Sequence, residues 1–232
     1  MTTPGELLTK RSAVAEQPRA AATREQTQSK GVSLIASVRD DQVHALVQQL
    51  FFRHESKPVR HVGFATVEAS TETAMLCLEV AGALAEESRY DVGLIDAYPD
   101  SVPLETKLKL KIPSPDPAEA TWPIAPRLWM VPRQSWLPED CGQRITDQDL
   151  SRLRELTTEF DFSILWCAPV SWRMASIGQT CDGLVLVLAA NKTRRLVAAQ
   201  IKDQLSKAQV PLLGTVLAER RFPVPRGLYR SL

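Results

Sequence analysis

Apolar and polar residues follow one another along this chain in blocks that predict alternating strands and helices. Continuous apolar runs predict buried strands at Val62–Thr66, Val92–Ile95, Arg127–Val131, Phe162–Cys167, Gly183–Ala189 and Leu212–Leu217. Helical spacing predicts helices over 40–53, Met75–Glu86 and Arg194–Lys207, and one capped by Thr146 and Asp149 whose Leu150, Leu153 and Leu156 face inward. This order predicts an α/β fold with a mostly parallel central sheet and helices on both faces.

The pattern divides the chain into an arm, a domain and a tail. Residues 1–38 are predicted to be a disordered arm, because the first thirty contain no Ile, Phe, Trp or Tyr. Residues 39–219 form the predicted domain, and 220–232 a basic surface tail. Within the domain, six prolines predict a surface excursion over 101–126, in which only the alternating KLKLKI segment, 107–112, suggests an edge strand.

Composition limits the choice of partners. Lys and Arg total 28 against 27 Asp and Glu, so no overall charge attracts nucleic acid or an anionic membrane. The four cysteines are far apart, which favours a reduced cytoplasmic protein, and the histidines show no metal-ligand spacing. We expect neither a membrane span nor a signal peptide, so that contact with the inner membrane would require a partner.

The segment from His61 to Asp96 has the order of a nucleotide-binding unit: strand, polar loop, long helix and a second strand ending in a carboxylate. A phosphate-binding loop in this position requires the pattern G-x-x-x-x-G-K-[ST]. The corresponding residues here are Ala69, Ser70, Thr71, Glu72, Thr73 and Ala74. The order of elements therefore fits nucleotide binding, whereas the loop lacks the residues that bind phosphate.

The second half of the chain resembles the bacterial tyrosine kinases of capsule and exopolysaccharide synthesis, which belong to the MinD/ParA group of P-loop ATPases. The matching segments are DGLVLVL at 182–188, KTR at 192–194 and VPLLG at 210–214. The resemblance covers roughly residues 40–220 and implies a P-loop NTPase-like fold of the MinD/ParA type. It also implies a role in polysaccharide assembly beside a membrane chain-length regulator.

The resemblance places the family's functional positions on unsuitable residues. The phosphate-binding lysine falls at Thr73, the magnesium-binding hydroxyl at Ala74, the preceding glycine at Glu72, and the aspartate of the later strand at Trp166. Asp96 alone matches a metal-linked carboxylate. The family's ring-assembly motif, Glu-x-x-Arg-x-x-Arg, falls near Asp41, His44 and Val47 without its arginines, so ring assembly by that route is not implied.

These substitutions predict a protein with no catalytic residue, no metal site and no bound cofactor. Phosphoryl transfer needs positive charge around the phosphate, yet Glu68 and Glu72 flank this loop. A carboxylate about 4 Å from a phosphate charge costs on the order of 4 kcal/mol at an effective dielectric near 20. The alternative is a divergent ATP- and Mg²⁺-dependent tyrosine kinase that recruits Lys192 or Arg194 in place of the missing lysine.

Several residues admit two interpretations. Asp96 is either a remaining ligand or a cap in a turn, and Trp166 either fills the vacated pocket or is an ordinary core aromatic residue. Ser70, Thr71 and Thr73 are either phosphate-binding residues or turn and N-cap residues. The helix N-terminus near Thr73 could still bind an anion weakly.

Two surfaces are expected to bind the partner. The first is the apolar stripe of the 40–53 helix, formed by Val43, Leu46, Leu50 and Phe51. The second is the tail, whose apolar residues are Phe222, Leu228 and Tyr229 among several arginines, although a solvated basic tail is the alternative. The sequence leaves the oligomeric state open.

Overall fold

The structure is a computed structural model. It describes residues 40–53, 58–67, 71–110, 120–138, 145–167, 169, 172–190 and 192–218. The predicted arm, Glu68, Ser70 and the whole tail, including Phe222, Leu228 and Tyr229, lie outside these ranges.

Within the described ranges, seven strands form one sheet in the order β3-β4-β2-β5-β1-β6-β7. They are β1 (His61–Thr66), β2 (Val92–Ala97), β3 (Trp122–Ala125), β4 (Leu128–Val131), β5 (Phe162–Cys167), β6 (Gly183–Ala189) and β7 (Leu212–Ala218). Every neighbouring pair is parallel except β3 with β4. The mostly parallel α/β sheet predicted from the sequence is therefore confirmed.

The part of the chain that the structure describes contains six α-helices, which connect and cover the strands: α1 (Asp40–Val47), α2 (Thr71–Glu87), α3 (Leu104–Lys107), α4 (Asp147–Thr158), α5 (Trp172–Gly178) and α6 (Arg195–Lys207). A π-helical turn, Gln48–Phe52, extends α1. The predicted cap of α4 is present, because the Thr146 side chain accepts a hydrogen bond from the Asp149 backbone while the Asp149 side chain accepts one from the Thr146 backbone.

The sheet separates two apolar cores, as expected for a sheet with helices on both faces. On one face α1 and α2 pack over residues such as Phe64, Leu94 and Ile164. On the other face, α4, α5 and α6 contribute Leu153, Leu156, Met174, Ile177, Ile201 and Leu205 to the second core. Because successive strand residues point to opposite faces, central strands of a covered sheet are apolar along their whole length.

In the region between β2 and β4, the structure differs from the prediction at two segments. The KLKLKI segment is not an edge strand where the structure describes it: Lys107 ends α3, Leu108 and Lys109 form a turn, and Lys109 has a φ of 53°. The edge strand in this region is instead β3, which lies inside the proline-containing excursion and was not predicted.

Helix α5 was also absent from the prediction made on residue pattern.

No helix among the described residues is both long enough and apolar enough to cross a lipid bilayer.

Candidate functional site

The candidate site lies at the carboxyl ends of β1, β2 and β5. Helix α2 begins just after β1 at these strand ends. The first turn of α2 contains Glu72, Thr73 and Ala74, of which Thr73 is 1% exposed and Ala74 fully buried. Within the described ranges the Thr73 hydroxyl has no hydrogen-bond partner. These two side chains face the protein interior, and neither supplies positive charge for a phosphate.

Trp166 lies near the carboxyl end of β5, the central strand of the sheet. It is 1% exposed and lies next to Asp96 on the neighbouring strand, in direct register. Tyr98 packs against its indole with ring centroids 5.1 Å apart, and the Lys107 ammonium lies 5.2 Å from the centre of the ring. The tryptophan is thus covered by an aromatic ring and a cation, an arrangement that stabilises it through packing and a cation–π contact.

Asp96 is fully buried and organises the connection after β2. One carboxylate oxygen accepts a hydrogen bond from the Tyr98 backbone N–H at 3.1 Å, and the other accepts one from the Leu104 backbone N–H at 2.9 Å. Burial raises the pKa of Asp96 to about 6, although these two hydrogen bonds and the nearby Arg133 act in the opposite direction. The observed contacts are those of a turn and cap residue, which was one of the two interpretations of Asp96.

Arg133 and Trp136 hold the same connection from the segment after β4. One guanidinium nitrogen of Arg133 donates to the carbonyl oxygens of Tyr98, Pro99 and Ser101, at 2.7 to 3.1 Å. The Trp136 indole N–H donates to the Asp96 carbonyl oxygen at 2.9 Å. Sequence reasoning missed both residues, since the pattern around Arg133 and Trp136 carries no local signal of contacts made with a connection distant in sequence.

The cations that the sequence suggested as replacements for the family's lysine lie in the connection that follows β6. Lys192 and Arg194 are exposed in the connection between β6 and α6. Lys107 is the lysine in contact with Trp166, and the residue pattern had assigned it to a strand.

The apolar stripe of α1 belongs to the protein's own core. Val43, Leu50 and Phe51 are buried, Leu46 is half-buried, and the ring of Phe51 packs edge-on against Phe162 with centroids 5.6 Å apart. This burial corrects the prediction that the stripe is a free partner surface, because α2 and the start of β5 already cover it.

Two polar contacts attach α1 to the end of α2. The Gln48 side-chain amide donates a hydrogen bond to the Glu87 carboxylate at 2.6 Å, and the His44 ring contacts the other oxygen of the same carboxylate.

The described side chains include no group of three His, Cys, Asp or Glu residues placed to hold a metal ion. Cys77 and Cys167 are buried, and burial raises the pKa of both thiols above the usual range. Burial also raises the pKa of Cys181 to about 12, and each of these shifts lowers the fraction of reactive thiolate near neutral pH.

No protein-family model matches the chain, and no curated protein sequence matches it. Solved structures do match. The chimeric protein CapA2B2 has 12% identity and a TM-score of 0.64, with 80% of this chain and 86% of that chain covered. The kinase domain of the Escherichia coli tyrosine kinase ETK has 13% identity and a TM-score of 0.61, with 80% of this chain and 79% of that chain covered.

A ParA-family ATPase from Chlorobium tepidum has 15% identity and a TM-score of 0.55, with 68% of this chain and 73% of that chain covered. At these identities the likeness establishes the fold. The chain therefore has the P-loop NTPase-like α/β fold that the ETK kinase domain and ParA-type ATPases share.

Proposed function

We propose that this protein is a non-catalytic relative of the bacterial tyrosine kinase domains and acts as a binding component of exopolysaccharide or capsule assembly. The observation that carries the proposal is the burial of Trp166 at the carboxyl end of β5, beneath Tyr98 and Lys107. The family resemblance would place a carboxylate at this position, and a tyrosine kinase domain of the same fold supports the choice of family.

The residues present do not fit ATP with Mg²⁺. Mg²⁺ needs several oxygen ligands in nearly octahedral geometry. Both oxygens of Asp96 already accept backbone hydrogen bonds, and its neighbour in register is an indole. Ala74 has no side-chain oxygen, and the position that the family resemblance assigns to the phosphate-neutralising lysine is Thr73. The proposal therefore includes no phosphoryl-transfer step.

We predict that the protein does not bind adenine nucleotides. Isothermal titration of the full chain with ATP and with ADP, each with and without Mg²⁺, should give no heat of binding at nucleotide concentrations up to about 1 mM, the weak end of specific binding. Thermal unfolding should be unchanged by the same additions, because a ligand that binds the folded state raises the midpoint. Micromolar, Mg²⁺-dependent binding would contradict the proposal.

The alternative is a divergent ATP-dependent kinase, and the position of Lys107 is the observation in its favour. Its ammonium lies at the candidate site and could take the part of the missing lysine if it left the Trp166 ring. Should titration reveal binding, Lys107→Met tests whether Lys107 is the nucleotide contact. Loss of binding in a variant that stays folded by circular dichroism would support that contact, and Lys202→Met, at an exposed position of α6, is the control.

The partner surface that we propose is the tail, 220–232, and the partner is a chain-length regulator or another membrane component of the polysaccharide machinery. We predict that deleting 220–232 abolishes capture of the partner's cytoplasmic segment and leaves the unfolding midpoint of the domain unchanged. The matched variants change either the apolar residues Phe222, Leu228 and Tyr229 or the arginines Arg220, Arg221, Arg226 and Arg230 to alanine. Loss of partner capture with the apolar set alone would indicate that the tail docks through its apolar side chains.

Equal capture by the intact and the shortened protein would exclude the tail as the docking segment. The polysaccharide role could then still hold, but the partner would have to contact the domain itself.

A further inference from the structure

The two edges of the sheet are protected to different degrees. At one edge, β3 has four residues, contains Pro123, and shifts register against β4 between Pro123 and Ala125. Prolines, bulges and short length are the means by which proteins prevent further strands from pairing with an edge. At the other edge, β7 has seven residues, LLGTVLA, without proline or charge, and no described strand pairs with its outer side.

The hydrogen bonds to β6 identify which backbone groups of β7 face outward. The Ala190 N–H donates to the Ala218 carbonyl oxygen at 2.9 Å, and the register from Gly214 to Ala218 is regular. In a parallel ladder alternate residues bond to the neighbouring strand. Gly214, Val216 and Ala218 therefore face β6, whereas the N–H and C=O groups of Thr215 and Leu217 point away from the sheet.

The side chains along this edge also leave room for a neighbour. Leu217 is 58% exposed and Thr215 is exposed. A Cβ atom added to Gly214 would meet no atom of the described structure within 4 Å. The edge thus combines outward backbone donors and acceptors with an uncharged and partly apolar surface, which is the combination that another β-strand complements.

We propose that β7 pairs antiparallel with β7 of a second copy of this chain, so that two sheets join across a two-fold axis. With Val216 at the axis, Thr215 lies opposite Leu217 and Gly214 opposite Ala218. No like charges meet in this pairing, and apolar or β-branched residues form favourable cross-strand pairs.

The segment that follows β7 is a poorer occupant of the edge than a second copy. Residues 219–232 contain Pro223 and Pro225, which have no N–H to donate to a ladder.

Sedimentation velocity of the full chain tests the proposal. We expect a monomer–dimer equilibrium between about 1 and about 100 µM, since one strand pair buries less than the roughly 1,200 Å² of a standard stable interface. Thr215→Pro should weaken dimerisation at least tenfold, or about 1.4 kcal/mol, because it removes an outward N–H in each copy. It should leave the bonds to β6 in place, and Thr215→Val should dimerise as the natural chain does.

Amide hydrogen exchange supplies a second readout. Exchange at the Leu217 N–H should slow as protein concentration rises in the natural chain and in Thr215→Val, but not in Thr215→Pro. A natural chain that stays monomeric throughout the range would overturn the proposal. Dimerisation that Thr215→Pro leaves unchanged, with the variant folded by circular dichroism, would also overturn it, since another surface would then form the dimer.

Discussion

Trp166→Ala should lower the free energy of unfolding by about 3–5 kcal/mol, the usual cost of removing a buried tryptophan. The indole is 1% exposed, packs against Tyr98 and lies beneath the Lys107 ammonium, so the substitution removes a core side chain and both contacts. Urea unfolding at neutral pH measures the loss. A loss this large would show that Trp166 stabilises the folded domain at the carboxyl end of β5.

Two further substitutions interpret that result. Trp166→Phe should cost less than the alanine variant, because it keeps an aromatic ring and because the indole N–H has no hydrogen-bond partner in the described part of the chain. Trp166→Asp restores the carboxylate that the family resemblance expects, yet it places a second acid beside Asp96. We expect it to be the least stable of the three, since a buried unpaired charge is costly. If all three variants unfold like the natural chain, the packing role of Trp166 is wrong.

Asp96 should make the protein less stable as the pH rises from about 4 to about 7. Its pKa is raised by burial to about 6 in the folded state from an ordinary value of 3.8, so the folded protein binds this proton more tightly than the unfolded chain. The contribution is therefore fully present below pH 4 and is lost as the pH passes through 6. A difference of about two pKa units corresponds to about 3 kcal/mol.

Comparison with Asp96→Asn isolates this effect from the other carboxylates. The asparagine does not titrate, so the stability of the natural chain relative to the variant should fall by about 3 kcal/mol over that pH range. Denaturant unfolding at several pH values gives the difference. A difference that stays constant with pH would mean that Asp96 ionises in the folded state as readily as in the unfolded chain.

Buried central strands were the part of the fold most readable from sequence. Both Phe162–Cys167 and Gly183–Ala189 were predicted with the bounds that the structure shows, because a strand covered on both faces needs apolar residues throughout. The helix after β1 began earlier than its apolar pattern suggested: Thr71–Ala74 are polar or small but already helical. Periodicity detects the buried part of a helix and not its first turn.

Failures occurred where local pattern competes with contacts distant in sequence. The alternation in KLKLKI resembles a half-exposed strand, but the segment begins as the last residue of α3 and continues as a turn. Strand β3 contains Pro123, which usually argues against a strand, and is tolerated because β3 lies at the sheet edge. The stripe of α1 was correctly recognised as apolar, but periodicity does not identify what covers it, and α2 does so here.

At the candidate site, the sequence identified positions but not their contacts. Trp166 and Asp96 were singled out by comparison with a family motif, whereas their roles depend on Tyr98, Lys107 and Leu104. The separation of these residues along the chain leaves no periodic signal. Only the folded connection after β2 brings a cap, an aromatic ring and a cation to one place.

The pairing of β1 has a consequence for how this chain folds during synthesis. β1 lies between β5 and β6, and its first residue, His61, pairs with Ser163, about a hundred residues later. A ribosome therefore releases β1 long before either of its neighbouring strands exists, and contacts between such distant segments form slowly. We expect the nascent chain to expose apolar strand edges throughout that interval, which makes it a substrate for chaperones until β5 emerges.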